Sequence, residues 1–190
     1  MRKILISSVV AFVLAAQALA GVAAAPANFA GTWALDKSKS KDLPPQMSNL
    51  DSLTLTVTQD AQQITVDSKA AMAASASEGS AGGGEGGVGR GRGRGMGGGF
   101  APSATYKLDG TETTAEGPRG GTSTLKAEWK DGGKTLVLHR VSKLSFQGND
   151  VTLTTTEEWS LSSDGKTLTV KRTSESPRGT QSSTLVFNKQ

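Results

Sequence analysis

The sequence has no cysteine, a single histidine and few aromatic residues, which make up 5% of its 190 residues. Without cysteine there is no disulfide framework, no thiol chemistry and no cysteine-ligated metal. His139 alone is too little for a typical zinc site, and a Ser-His-Asp triad would depend entirely on it. No serine lies in a G-x-S-x-G pattern. The run "GEGGVGRG" lacks the Lys-Ser/Thr pair of a phosphate-binding loop. These absences argue against an enzyme and predict no metal and no cofactor.

Only one apolar run is long, and it lies at the start of the chain. The basic start "MRK" is followed by "ILISSVVAFVLAAQALA", which ends in the A-x-A cleavage pattern of residues 18–20. We expect a signal peptide over residues 1–20, with a cut after Ala25 as the alternative. The apolar run is too short for a membrane anchor, so no transmembrane segment is expected in the mature chain. These features predict an exported protein, periplasmic or extracellular, in which residues 26–190 form one monomeric domain.

Net charge is small once the signal is set aside. The formal charge of +4 falls to +2 without Arg2 and Lys3, and to −1 without Arg90, Arg92 and Arg94. The basic character therefore lies in the signal and in one Arg-Gly segment. No phenylalanine or tyrosine separates these arginines to stack on bases, so we expect no nucleic-acid partner.

Alternation of apolar and polar residues dominates the rest of the chain. This period of two is typical of strands, and Gly, Asp and Asn separate the segments. The pattern predicts an all-β fold, an antiparallel up-and-down meander of about ten strands that closes into a barrel. The predicted strands cover residues 29–36, 51–58, 62–68, 103–108, 111–116, 121–130, 134–147, 150–161, 166–174 and 180–188.

Four turns predict how neighbouring strands pair. A two-residue turn at Gly148-Asn149 would place Arg140 opposite Glu157 and Leu138 opposite Trp159. A four-residue loop at 162–165 would place Thr155 opposite Arg172 and Trp159 opposite Leu168. The type I turn "SPRG" would place Arg172 opposite Ser183. The turn "KDGGK" would place Leu125 opposite Leu138. These registers put the apolar residues of the last five strands on one face and His139 on the other.

Residues 70–102 interrupt the strands with a Gly/Ala/Ser-rich segment. It has too few apolar residues to offset the entropy of ordering it, so we expect a disordered loop. Its arginines, Arg90, Arg92 and Arg94, offer a weak contact for anionic lipid or polysaccharide. A flexible loop without any partner is the alternative.

The opening of the mature chain, "NFAGTWALDKSKS", contains the G-x-W motif as Gly31-Thr32-Trp33. It resembles the first strand of lipocalins, and the successive hairpins resemble the lipocalin and fatty-acid-binding-protein group. The segments 29–38 and 159–172 are also similar to those of small exported bacterial proteins. The resemblance implies a barrel closed at one end by Gly31 and Trp33, with an internal cavity for an apolar ligand.

Charged residues on the apolar face are the candidate binding site. Arg140 and Arg172 would hold an acidic head group, because arginine grips a carboxylate in bidentate fashion, while Glu157, Thr155 and Ser183 orient them. The predicted wall of this site consists of Trp129, Trp159, Leu138, Leu153 and Phe187. This predicts non-catalytic binding of a small apolar or amphipathic ligand, with a carboxylate as one option.

Two alternatives remain open for this site. Both arginines could lie in solvent at the barrel mouth, or Arg140 and Glu157 could be an ordinary cross-strand pair. The barrel would then be filled. It would serve as a structural or interaction module of the cell envelope, acting through its outer face or the Gly/Arg loop.

Overall fold

The structure, a computed structural model, describes residues 25–72, 103–116, 121–146 and 149–190. These residues form ten strands and one short helix, in agreement with the predicted all-β meander. The elements are β1 (Gly31–Leu35), α1 (Pro45–Ser48), β2 (Leu50–Gln59), β3 (Gln63–Met72), β4 (Ser103–Lys107), β5 (Thr113–Glu116), β6 (Thr122–Lys130), β7 (Thr135–Phe146), β8 (Asn149–Leu161), β9 (Thr167–Ser176) and β10 (Gly179–Lys189).

The strands follow the alternation of the sequence. In β2, Leu53, Leu55 and Val57 are buried, while the threonines between them face outward. Side chains of a strand point to opposite faces in turn, so one face of each strand enters a common core. Burial of this continuous apolar face is the main force that curves the sheet around its own interior.

The ten strands form one antiparallel sheet in the order β4-β3-β2-β1-β10-β9-β8-β7-β6-β5. Pairing of β1 with β10 joins the two halves of the chain, and the sheet curls into a nearly closed barrel. Its two end strands, β4 and β5, meet at a seam, where the Thr113 hydroxyl donates to the Thr105 carbonyl at 3.4 Å. No ladder joins these two strands in the part of the chain that the structure describes. Both are short, so closure is less complete than expected.

Three of the four predicted hairpin registers are wrong by two residues. Arg140 lies opposite Thr155, and Leu138 lies opposite Glu157. Glu157 lies opposite Arg172, and Leu125 lies opposite Arg140. The register of β9 with β10 is confirmed, with Arg172 opposite Ser183.

The wrong registers have local causes. In the β8–β9 loop, the Ser162 hydroxyl accepts from the Thr167 amide at 2.9 Å, which widens the loop by two residues. Between β6 and β7, a 3₁₀ turn takes in Asp131–Gly133, and Thr135 donates to the Asp131 carboxylate at 2.7 Å. In the β7–β8 hairpin, the last pair is Phe146 with Asn149. The two connecting residues, 147 and 148, lie outside the described ranges.

Residues 26–29 close one end of the barrel. Gln59 holds this segment on both sides, accepting from the Phe29 amide at 2.8 Å and donating to the Ala27 carbonyl at 2.9 Å. The Ala27 amide donates to the Gly133 carbonyl at 2.8 Å. A methyl group on Gly133 would come within 3.0 Å of Pro26, so glycine permits the close approach. The chain before β1 is therefore part of the fold.

The opposite end receives the segment between β1 and β2. The backbone of Lys41 exchanges two hydrogen bonds with that of Thr184, at 2.8 and 3.0 Å. The helix α1 then directs Met47 into the core, where it is almost fully buried. The predicted signal peptide, residues 1–20, lies outside the described ranges. Residues 70–72, predicted to begin the long loop, belong instead to β3, and residues 73–102 are not described.

Candidate ligand-binding site

A band of charged and hydroxyl side chains crosses the inner face of β6 to β10. We call it the polar belt. Its charged members are Arg140, Glu157 and Arg172. Its hydroxyl members are Ser123, Ser142, Thr155, Ser174 and Ser183. All eight lie at inward-facing positions, because each stands two residues, or a multiple of two, from a buried apolar residue on its own strand.

Arg172 and Glu157 form an ion pair within the belt. They face each other across β8 and β9, and Arg172 Nε lies 3.7 Å from Glu157 Oε1. Arg172 is 6% exposed, and the Glu157 side chain is 14% exposed. Arg172 Nε also donates to the Ser174 hydroxyl at 3.3 Å. Two buried charges of opposite sign offset much of each other's desolvation cost.

Arg140 is held by hydroxyl groups. Its Nε donates to Ser142 Oγ at 3.2 Å, and its Nη2 donates to Ser123 Oγ at 3.2 Å. The two serine hydroxyls are 2.9 Å apart. Among the described residues, no carboxylate lies within ion-pair distance of Arg140. Arg140 as a whole is half-buried.

Glu157 links the belt to the aromatic closed end. Trp159 Nε1 donates to Glu157 Oε2 at 3.0 Å, leaving Oε1 toward Arg172. The indole and the guanidinium thus approach different oxygens of one carboxylate. Because each carboxylate oxygen has its own partner, this arrangement fixes the orientation of the Glu157 side chain.

Tyr106 on β4 completes the electrostatic environment of the belt and was not predicted from sequence. Burial raises the pKa of its phenol far above the ordinary value, and the negative charge of Glu157 raises that pKa further. Arg140 and Arg172 act in the opposite direction. The phenol is therefore neutral at physiological pH, and it interacts electrostatically with all three charged residues of the belt.

The serines Ser123, Ser142 and Ser174 were also missed. A signal was available, because Ser142 and Ser174 each stand two residues after an inward arginine, and Ser123 stands two before buried Leu125. A serine in a strand is easily assigned to the outer, polar face. Counting in steps of two residues from a buried apolar residue assigns these serines to the inner face.

The predicted wall residues divide between two regions. Trp159, Phe187 and Leu138 lie on the closed-end side of the belt and are at most 2% exposed. Trp129 packs beside them, with its ring centroid 6.1 Å from that of Phe29, while Trp159 meets Phe29 edge-on at 5.8 Å. Leu153 is different, because it lies directly opposite Ser142 of the belt, on the side away from Trp159, and is half-buried.

The G-x-W residues lie at the closed end. Trp33 is fully buried, and its Nε1 donates to the Phe29 carbonyl at 2.9 Å. Gly31 adopts a φ of 138° beside Lys189, whose ammonium lies over the Trp33 ring at 5.2 Å. The motif therefore joins the closing segment to the first strand. Arg90, Arg92 and Arg94 lie outside the described residues.

A shallow groove lies on the outer surface of β8, β9 and β10. This groove has a volume of about 370 Å³. Most of its lining is outward-facing and polar, and includes Thr156, Glu158, Lys171, Thr173 and Asp42. Its other lining residues are Arg172, Ser182, Ser183 and Thr184. His139 lies next to it, as predicted on the outer face, with Nδ1 3.2 Å from the Thr156 hydroxyl.

Two other kinds of site are absent from the described ranges. No group of three or more His, Asp or Glu side chains there is arranged to hold a metal ion. None of the helices in those ranges has the length and apolar character that crossing a membrane requires.

The fold and belt together define an antiparallel ten-stranded barrel with charged residues inside. Among solved structures, the chain is similar to zebrafish ileal bile acid-binding protein, crystallised in complex with cholic acid. The identity is 13% and the TM-score 0.47, over 85% of this chain and 98% of the other. No protein-family model and no curated protein matches the sequence.

Proposed function

We propose that the protein binds a small amphipathic acid inside its barrel, without catalysing a reaction. The carrying observation is Arg140, a half-buried interior guanidinium held by two serines at 3.2 Å rather than by a carboxylate of the described chain. A guanidinium whose charge is not neutralised by a carboxylate of the described chain is well suited to an anionic head group.

The charge of the belt supports one anionic group per ligand. Arg140 and Arg172 face one carboxylate, that of Glu157, which pairs with Arg172 at 3.7 Å. One positive charge is left over, and a single carboxylate on the ligand would neutralise it. Arg140 is the primary contact in this arrangement, and Ser123 and Ser142 position its guanidinium.

The apolar part of the ligand lies on the side of the belt away from Phe29. Phe29, Trp33 and Phe187 have no accessible surface, so even a water molecule finds no space beside them. Leu153, which faces Ser142 of the belt, and Val151, two residues further along β8, retain accessible surface. We therefore assign the ligand tail to these residues rather than to the predicted aromatic wall.

Export remains part of this proposal. The basic start, apolar run and A-x-A pattern of residues 1–20 support secretion to the periplasm or beyond. The binding role requires only the barrel, so its test does not depend on the location.

Native mass spectrometry of the protein from a bacterial expression host tests the binding role. We expect an acid to co-purify with the protein and to be lost in Arg140→Met, which keeps an apolar side chain of similar length. Arg178→Met is the matched control, because it removes the same charge from an exposed turn. A bare protein that also leaves a fluorescent fatty-acid probe unbound would refute the proposal.

The outer groove supports a second candidate, an interaction module of the cell envelope. Its hydroxyls, carboxylates and Lys171 face outward around about 370 Å³ of space. Titration of the isotope-labelled protein with cell-wall polysaccharide would then shift the amides of Lys171 and Thr173. If only amides of the polar belt respond to added ligands, the groove has no such role.

A further inference from the structure

The hydroxyl groups of the polar belt carry information about the ligand beyond its charge. We propose that the preferred ligand is a monoanionic hydroxy acid, with its hydroxyl two or three carbons from the carboxylate. This inference rests on the proposed function and specifies its ligand class.

Two hydroxyl groups of the belt are available to form hydrogen bonds with a ligand. The Thr155 and Ser183 side chains form no hydrogen bond with any other described residue. No buried side-chain oxygen or nitrogen in the described ranges lacks a partner, so both hydroxyls must be reachable by water. A ligand that enters the belt displaces that water.

Their positions relate them to the arginines. Thr155 lies directly opposite Arg140 across β7 and β8, and Ser183 lies directly opposite Arg172 across β9 and β10. Directly opposed side chains on one face have Cβ atoms about 4.5–5.5 Å apart. A carboxylate on Arg140 therefore places only the first few carbons of the ligand beside Thr155.

An unbranched alkyl chain is a poor match for this region. It removes water from the two hydroxyls and offers no hydrogen bond in return, which is costly for a buried polar group. A ligand hydroxyl near the carboxylate replaces the displaced water. Because the closed end is filled, with no accessible surface on Phe29 or Phe187, the carboxylate end of the ligand stays at the level of Arg140 and Thr155.

A matched pair of probes tests the inference. Decanoate and 3-hydroxydecanoate differ by one hydroxyl, and isothermal titration calorimetry compares their affinities for the complete mature protein. We expect the hydroxy acid to bind about five- to tenfold more tightly, as one added hydrogen bond provides. Thr155→Val keeps the side-chain shape, and Ser183→Ala removes one atom. The double variant is expected to bring the ratio of the two affinities close to one.

The outcomes separate this inference from the proposed function. If both acids bind with equal affinity, or the ratio survives Thr155→Val and Ser183→Ala, the hydroxy-acid inference is wrong and the binding role stands. If neither acid binds and no acid co-purifies, both the hydroxy-acid inference and the proposed binding role are wrong. Thermal unfolding of each variant establishes that a lost ratio does not reflect a lost fold.

Discussion

The ion pair between Arg172 and Glu157 leads to a quantitative prediction. At 3.7 Å, and with an effective dielectric constant of about 20, the Coulomb attraction is about 4 kcal/mol. Desolvation of both groups opposes it, and removal of one partner leaves the other charge buried. We expect Glu157→Gln and Arg172→Met each to cost about 3 kcal/mol, and the double variant about 4 kcal/mol. The coupling energy is then about 2 kcal/mol.

The substitutions are chosen to isolate the pair. Glutamine keeps a side-chain oxygen for the Trp159 indole, which donates to Glu157 at 3.0 Å. Methionine keeps much of the aliphatic stem of Arg172. Urea unfolding followed by tryptophan fluorescence gives the four free energies, and an unchanged m-value shows that the unfolding transition is the same in each variant.

A surface ion pair provides the matched control. Lys130 and Glu158 are 3.4 Å apart, but their side chains are 51% and 42% exposed. The same cycle there should give about 0.5 kcal/mol or less, because water screens exposed charges. The reasoning about burial fails if the coupling of Arg172 with Glu157 is no larger than that of the control.

Two further predictions concern the closed end and Tyr106. Phe29→Ala should lower the free energy of unfolding by about 3–5 kcal/mol, because it empties space between two indoles, and exposed Met72→Ala should change it by less than about 0.5 kcal/mol. Equal losses in the two variants would show that residues 26–29 do not close the barrel. Tyr106 is the only tyrosine of the sequence, and its pKa is raised in the folded state. The free energy of unfolding is therefore unaffected by this group below a pH of about 10, the pKa of an unfolded tyrosine. It falls as the pH rises above about 10. Ionisation of Tyr106, followed by absorbance at 295 nm, should therefore coincide with the loss of the far-ultraviolet circular dichroism signal. The absorbance change should be absent in Tyr106→Phe. Ionisation near pH 10 in a protein that is still folded would contradict the burial of Tyr106.

The inner face of the barrel was predictable because the wrong registers differed by an even number of residues. A shift of two keeps every side chain on its own face, so Arg140, Glu157 and Arg172 were assigned to the interior although their partners were misassigned. The β9–β10 register followed from its proline and glycine, which fix one turn type. Loop widths elsewhere depend on side-chain hydrogen bonds such as that of Ser162 with Thr167, which composition does not reveal.

Contacts between distant segments could not be predicted from local patterns. The clamp of Gln59 on residues 27–29 spans about thirty residues, and neither partner carries a sequence signal for it. Tyr106 acts electrostatically on the belt from β4, an end strand whose ladder partner is β3, so no local pattern connects it with β8 or β9. Alternation identified which residues point inward, and packing decides which of them leave space for a ligand.

The seam between β4 and β5 has a consequence for amide exchange and self-association. Across the seam, backbone groups of these strands lack ladder partners within the described chain, so their amides should exchange with deuterium before those of β7 and β8. Sheet edges are also where other chains add strands. Here the two edges are five and four residues long and face each other, joined by the Thr113 hydroxyl, so neither presents a long template to a second molecule.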